Sequence, residues 1–407
     1  MSETSGALVL GANLNGLTIA RSLGRRGVMV WLATPPSVRL ASYSRYARRT
    51  LLWPNGDCEA RVDYLLHLAE RHELHQWVLF PTNDETAAFL AKFHSALSSR
   101  YRVSAPPWNV LRWAYDKRLT YRLAAQERVD YPRTTCPASE EDLRARNLAF
   151  PLILKPAMHA PVNRFTADKV WPVANENELV ARYREALEMM APEFILLQER
   201  IPGAGESQFS YAALYSEGEP IVSLTARRTR QYPIDFGYSS SFVETLQVPE
   251  IAAASRRLLA AIRYSGLVEV EYKFDSRSGA FKLLDINPRL WTWSALGARA
   301  GTDFPYLLWR MMTGEPVPQQ AGKAGVRWMR ISTDLPAAIH EMLIGRLTPG
   351  GYLRSFRGPI QFALMAADDP FPGLLDLPVF AYKKLYSSCK SLFHGLPLKG
   401  EGLKSKS

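Results

Sequence analysis

Cysteine is scarce in this chain. Cys58, Cys136 and Cys389 stand far apart in 407 residues, so they make neither a metal-ligand spacing nor a disulfide framework. The seven histidines are equally scattered. No Ser/His/Asp or Cys/His constellation emerges. No run of about 18 apolar residues is present, which excludes a membrane-spanning helix on this pattern. The first residues, MSETSGALVLGANLNG, have neither a basic n-region nor a cleavable apolar core; no signal peptide and a cytoplasmic location are expected. Internal repeats, long low-complexity tracts and basic–aromatic RNA-recognition patterns are also missing. Nucleic acid is therefore not expected as a partner, although the net charge is +11. That charge favours anionic partners in general, nucleotides and anionic membrane surfaces among them. Oligomeric state is not legible.

What is present is ordinary in bulk, 47% hydrophobic and 22% charged, and the length suits two or three domains. Residues 6–105 alternate short apolar runs with helical patterns. ALVLG, VMVWLA and WVLFPT (77–82) read as strands and Leu17 to Arg26 as a helix, which implies a parallel, doubly wound sheet. The first turn, Gly11-Ala-Asn13-Leu-Asn-Gly16, is similar to a dinucleotide fingerprint whose middle glycine is Asn13, and the second strand ends without a ribose-binding acid. A Rossmann-like unit without a dinucleotide is expected. Asn83, Asp84 and Glu85 follow the third of these strands, as a ligand-facing cluster or, preferably, as a helix N-cap with first-turn acids.

Ala-Pro-Pro at 105–107 marks a boundary. A helix is expected over about 109–128, a buried strand FPLILKP (150–156) ending in Lys155, a mobile loop over 157–168, a short strand VWPVAN and a helix over 176–190. FILLQERIPG (194–203) reads as a further strand, a hairpin turns at Glu217-Gly218, and a helix spans 251–264. Beyond 320, RWMRIS reads as a strand and about 334–345 as a helix, followed by an Asp/Pro-rich segment (367–379) and a basic tail from Lys383 that is expected to be disordered.

The most informative stretch is VEVEYKFDSRSGAFKLLDINPR, 268–289. Strand alternation puts Asp285 and Asn287 on one face, and the Asp-Ser-Arg-Ser-Gly turn folds Glu271 back towards Asp285. Two carboxylates, an amide oxygen and Arg289 then converge. They form either a wet polar face or an oxygen-ligand set suited to magnesium beside a cation suited to phosphate. Upstream, Arg227, Arg228 and Arg230 lie in ARRTRQYPIDFGYSSSF (226–242); alternation predicts Arg228 and Arg230 on one face and Arg227 on the other.

In this order, over roughly residues 1–320, these motifs resemble the ATP-grasp superfamily. The branch is that of carboxylate–amine ligases, related to carbamoyl-phosphate synthetase, biotin carboxylase and D-alanine–D-alanine ligase. The resemblance implies a mixed α/β and α+β architecture. A Rossmann-like pre-ATP-grasp domain (1–105) precedes an ATP-grasp domain (106–320), which has a small covering lobe (about 130–198), a hinge (about 198–203) and a metal-site lobe (204–320). A C-terminal extension (321–407) follows.

It further implies that Lys117 and Lys155 contact ATP phosphates. The backbone of Gln198, Glu199, Arg200 and Ile201 would meet the adenine edge, with Glu199 as an acid near the base and Glu206 on the ribose. Glu271, Asp285 and Asn287 would ligate magnesium, as two ions, with manganese as a substitute and Glu269 as the neighbouring alternative ligand. Arg228, Arg230 and Arg289 would serve the acceptor carboxylate and the transferred phosphoryl group, and Arg164 is a further candidate phosphate contact. The covering loop at 157–168 contains no glycine, and Asp285 stands where the family usually has Glu.

The implied activity is ATP-dependent joining of a small-molecule carboxylate to an amine through an acyl phosphate. The alternative is a non-catalytic ATP-binding regulator or scaffold. Phe380, Tyr382, Tyr386 and Phe393 alternate with Lys383, Lys384 and Lys390, which reads as a helix packed on the protein or as a weak contact with an anionic membrane surface.

Overall fold

The structure, a computed structural model, describes residues 5–158, 163–234, 239–376 and 378–380. The basic tail from Lys383 lies outside them, as does part of each loop at 157–168 and 226–242.

Three sheets organise the described residues. The first is parallel, in the order β3-β2-β1-β4-β5, built from β1 (Ala7–Leu10), β2 (Val30–Thr34), β3 (Ala47–Leu52), β4 (Val78–Pro81) and β5 (Arg102–Val103). Its central strands are buried on both faces, as a doubly wound sheet requires. Leu8, Leu10 and Leu79 belong to one core; Ala7, Val9 and Phe80 belong to another that continues into the rest of the protein. The first helix is Leu14–Gly24, starting three residues earlier than the apolar spacing suggested, because the Asn13 side chain caps it by accepting from the Gly16 amide. Asn15 ties this turn to later sequence, its Nδ2 donating to the carbonyls of Thr82 (3.0 Å) and Leu290 (2.9 Å). Gly11 has φ +123°, and a Cβ there would stand 2.1 Å from Thr82 Oγ1, so the turn needs glycine. β3, ARRTLL, escaped the sequence reading because it is a largely exposed edge strand with charged residues.

The second sheet, in the order β6-β9-β7-β8, is antiparallel. It contains β6 (Thr134–Thr135), β7 (Leu152–Pro156), β8 (Trp171–Val173) and β9 (Ile195–Glu199), and packs on helix Glu176–Leu187. The expected helix over 109–128 is two helices, Trp108–Tyr115 and Lys117–Gln126. Asp116 breaks it with extended backbone (φ −100°, ψ 110°) and caps the second piece by accepting from the Arg118 amide. Lys117 thereby opens a helix, its amide bonded to the Ala157 carbonyl just after β7.

The third sheet runs β14-β13-β10-β11-β12-β16-β17, with β10 (Gln208–Ser216), β11 (Glu219–Tyr232), β12 (Ser239–Leu246), β13 (Gly266–Asp275), β14 (Ala280–Asn287), β16 (Arg327–Met329) and β17 (Ile360–Phe362); β15 (Gln320–Ala321) pairs with β11. Residues beyond 320 thus extend this sheet. Arg330 ends the RWMRIS strand early, and Ile331 already opens helix Ile331–Leu343. One face of the sheet packs on helix Pro249–Ala261 through Ile251, Leu258 and Tyr272. The other face, through Leu214, Val222 and Leu224, joins the core with Trp291, Phe304 and the first helix. No helix among the described residues is long and apolar enough to cross a membrane.

Candidate functional site

A cleft of about 360 Å³ opens between the second and third sheets. β7 and β9 contribute Lys155, Gln198 and Glu199, and β10, β11, β13 and β14 contribute Gln208, Arg228, Glu271, Asp285 and Asn287. Lys117, Arg200, Ile201, Arg289 and Asp84 also line the cleft.

The hairpin forms as its sequence suggests: Glu271 pairs with Asp285 and Glu269 with Asn287. Asn287 Nδ2 donates to Glu269 (3.1 Å) and Glu271 (3.3 Å), while its Oδ1 accepts from Arg289 (3.1 Å). Glu269 is 3% exposed and accepts from Ser210 Oγ and Trp293 Nε1, both at 2.9 Å. Burial, and then the charge of Glu271, push its carboxyl group above the usual range. Glu271 faces Arg228 at 3.6 Å.

The two lysines differ in state. Lys117 is salt-bridged to Asp285 at 2.8 Å; burial opposes its charge, but the Asp285 carboxylate outweighs it and the pKa rises. Lys155 is 7% exposed and donates to the Tyr121 hydroxyl at 2.7 Å. Burial, reinforced by the charge of Lys117, lowers its pKa to about 7. Arg289 makes two bonds to Asp84, at 2.9 and 3.0 Å. Burial works against that charge, and the carboxylate more than compensates. Asp84 thus does two jobs, standing in the first turn of the helix that Asn83 caps and gripping Arg289.

At the end of β9, the amides of Glu199 and Arg200 bond the carbonyls of Arg133 (2.9 Å) and Pro151 (3.2 Å). The Gln198 side chain donates to Thr134 Oγ1. Glu199 accepts from Lys282 at 2.6 Å and from the Arg133 amide at 3.0 Å. Burial raises its pKa and Lys282 lowers it, with a net lowering.

Three candidates stand elsewhere. A register shift between Arg228 and Arg230 breaks the expected alternation. Arg228 stays in the cleft, while Arg230, 3% exposed, turns to Asp334 in helix Ile331–Leu343 with bonds of 2.9 and 2.8 Å. Glu206 is exposed, accepts from the Ala204 amide at 3.1 Å and is not part of the cleft wall. Arg164 pairs with Glu185. It opens a short helix, Arg164–Asp168, where a mobile loop was expected; Asn163 caps this helix by accepting from the Thr166 amide. From the same segment Thr166, Asp168 and Lys169 line the cleft.

The residues missed from sequence are Asp84, as the partner of Arg289, Tyr121 and Lys273. Lys273 had a signal, since it lies two residues from Glu271 on the same strand face. It lines the cleft and donates to the Gly203 carbonyl at 2.7 Å; burial, then Arg200, lower its pKa to about 8.

Among the described residues no group of three His, Cys, Asp or Glu side chains is arranged to hold a metal. The donor set here is instead two carboxylates and an amide, Glu271, Asp285 and Asn287. These are hard oxygen donors of the kind magnesium takes, gathered on one wall of the cleft. The residues fit magnesium.

No family model and no curated protein matches the sequence. Solved structures do. The L-amino acid ligase from Bacillus licheniformis is 16% identical with a TM-score of 0.59, over 77% of this chain and 75% of that one. The biotin carboxylase from Campylobacter jejuni, in complex with a β,γ-ATP ligand, is 16% identical with a TM-score of 0.62, over 79% and 74%. The N5-carboxyaminoimidazole synthetase from Staphylococcus aureus, complexed with ADP, is 14% identical with a TM-score of 0.61, over 79% and 80%. At such identities the likeness is one of fold: the chain has the ATP-grasp fold, with a Rossmann-like sheet in front of it.

Proposed function

We propose that the chain is an ATP- and magnesium-dependent ligase that joins a small-molecule carboxylate to an amine through an acyl phosphate, releasing ADP and phosphate. The observation that carries this reading is the convergence, in one cleft, of Lys117, Lys155 and Arg289 with Glu271, Asp285 and Asn287, beside a hinge strand. The fold shared with nucleotide-bound ligases supports it.

In this reading Ile201 offers the hinge amide to the base edge, because those of Glu199 and Arg200 are already bonded. Lys155 and Lys117 face the phosphates. Magnesium held by Glu271, Asp285 and Asn287, as two ions, would spread the charge of the β- and γ-phosphates. Arg228 orients the substrate carboxylate with its planar guanidinium fork. A carboxylate oxygen attacks the γ-phosphorus, and the bond to the bridging oxygen breaks with its electron pair leaving on ADP. Arg289 stabilises the charge on the transferred group. The amine then attacks the acyl carbon, phosphate departs, and the amine loses a proton.

The test is ADP release in the presence of magnesium across panels of carboxylates and amines, followed by mass analysis of products. Release that depends on both substrates, and that in Asn287→Ala is weakened and needs more magnesium, supports the reading. A protein that binds no ATP, with Asn287→Ala changing nothing, sinks it.

A second reading, a non-catalytic ATP-binding regulator or scaffold, draws on Lys117 and Arg289 being engaged by Asp285 and Asp84. Tight ATP binding without turnover over the whole panel would favour it.

A further inference from the structure

Helix Ile331–Leu343 is packed inside out. Ser332, Thr333, Asp334, Ala337 and Ala338 face the protein. Leu335, Ile339 and Leu343, spaced four apart and therefore on one stripe, are 44%, 49% and 81% exposed. The following turn and the short helix Pro349–Arg354 add Ile344 (46%), Leu353 (70%) and Phe356 (39%). The polar inner face has a reason, because Asp334 takes up the buried Arg230. The apolar outer face has none in the described structure, and exposed leucine at this density marks a contact surface.

The charges around the patch indicate what covers it. Arg346, Arg354 and Arg357 are exposed within and just beyond it. Of the acids in this segment, Asp334 is buried against Arg230 and Glu341 is half-buried. A second copy of the chain would bring like-charged rims together in a two-fold contact. The residues after 380 are themselves rich in lysine, so they too would meet like charge. An anionic lipid surface satisfies both features, accepting leucines at the headgroup boundary and arginines among the phosphates.

We propose that residues 335–357 form a docking surface for an anionic membrane, independent of the ligase reading and distinct from any contact made by the lysine-rich tail.

The test uses the full chain, with vesicles of phosphatidylcholine alone and vesicles mixed with phosphatidylglycerol, in co-sedimentation at low and high salt. The wild type is expected to bind the mixed vesicles and to weaken with salt. Leu343→Glu with Leu353→Glu, at positions too exposed to matter for folding, is expected to weaken binding by roughly tenfold or more. Replacing Arg346, Arg354 and Arg357 by glutamine is expected to flatten the salt dependence. Undiminished binding by the leucine variant would overturn the proposal and assign binding to the tail. Failure of the wild type to bind any vesicle would also overturn it. So would a concentration-dependent dimer that the leucine changes abolish, because the surface would then belong to a second copy.

Discussion

Asp84 and Arg289 are 205 residues apart in sequence and joined by two hydrogen bonds. The first stands at the carboxyl edge of the parallel sheet, the second two residues past β14, so the pair locks the Rossmann-like unit to the wall of the cleft. Neither side chain is more than 18% exposed. Asp84→Ala would leave a buried guanidinium without its main partner. It is expected to lower stability by about 2–4 kcal/mol in urea unfolding and to reduce ADP release further, by freeing Arg289 to move. Arg289→Ala is expected to cost about 2.7–4 kcal/mol of transition-state stabilisation, read as ADP release slowed by roughly two to three orders of magnitude at saturating substrate.

Arg228 and Arg230 should separate cleanly. Arg230→Ala strands Asp334, which is fully buried, and is expected to destabilise the fold by about 3–5 kcal/mol, measured by chemical unfolding. The remaining folded fraction should keep its affinity for ATP. Arg228→Ala is expected to do the reverse, with a small stability change and a large loss of carboxylate-dependent ADP release. Equal effects of the two on turnover per folded molecule would contradict the placement.

Lys155 gives a pH dependence. With its pKa lowered to about 7, the lysine is only partly protonated at neutral pH, and bound phosphates favour its charged form. ATP binding should therefore take up a proton at pH values above about 7. Affinity should fall as pH rises through that window towards the ordinary lysine value, by at most about tenfold per pH unit. Calorimetry in buffers of different ionisation enthalpy reads the proton directly, and Lys155→Met should abolish the uptake. For stability the sign is the opposite of a salt-bridged lysine's. The folded pKa is depressed, so the unfolded chain binds more protons between about 7 and the ordinary value, and stability rises with pH there.

Asn287 holds Glu269, Glu271 and Arg289 together. Asn287→Ala is expected to raise the magnesium concentration needed for half-maximal ADP release by at least about tenfold. ATP binding without magnesium should change much less.

Local pattern was enough for much of this site. The period-two alternation and a five-residue turn foretold that Glu271 meets Asp285, and register confirms it. An apolar strand ending in lysine foretold a lysine that must find a polar partner at 155, and the Tyr121 hydroxyl is one. Legibility failed where a single residue interrupts a period. Asp116 splits a helix whose apolar spacing runs on unbroken, and a bulge after Arg228 sends Arg230 to the opposite destination. It failed again at β3, an edge strand whose charged residues hide its pairing. The Asn83-Asp84-Glu85 cluster was ambiguous for a sound reason, since the cap and the ligand-facing position are the same place.

Sequence alone determined most of the elements and the donor chemistry, because hydrophobic period, turn residues and charge are properties of neighbours along the chain. Tertiary structure decided which cations are paired and which stand ready. Lys117 is held by Asp285, Arg289 by Asp84 and Arg230 by Asp334, while Lys155, among the described residues, bonds a tyrosine hydroxyl and has a lowered pKa. Those differences come from burial and from partners brought in by folding. The 268–289 hairpin could therefore announce a cluster of oxygen ligands, but only the packed chain could set the charge it faces.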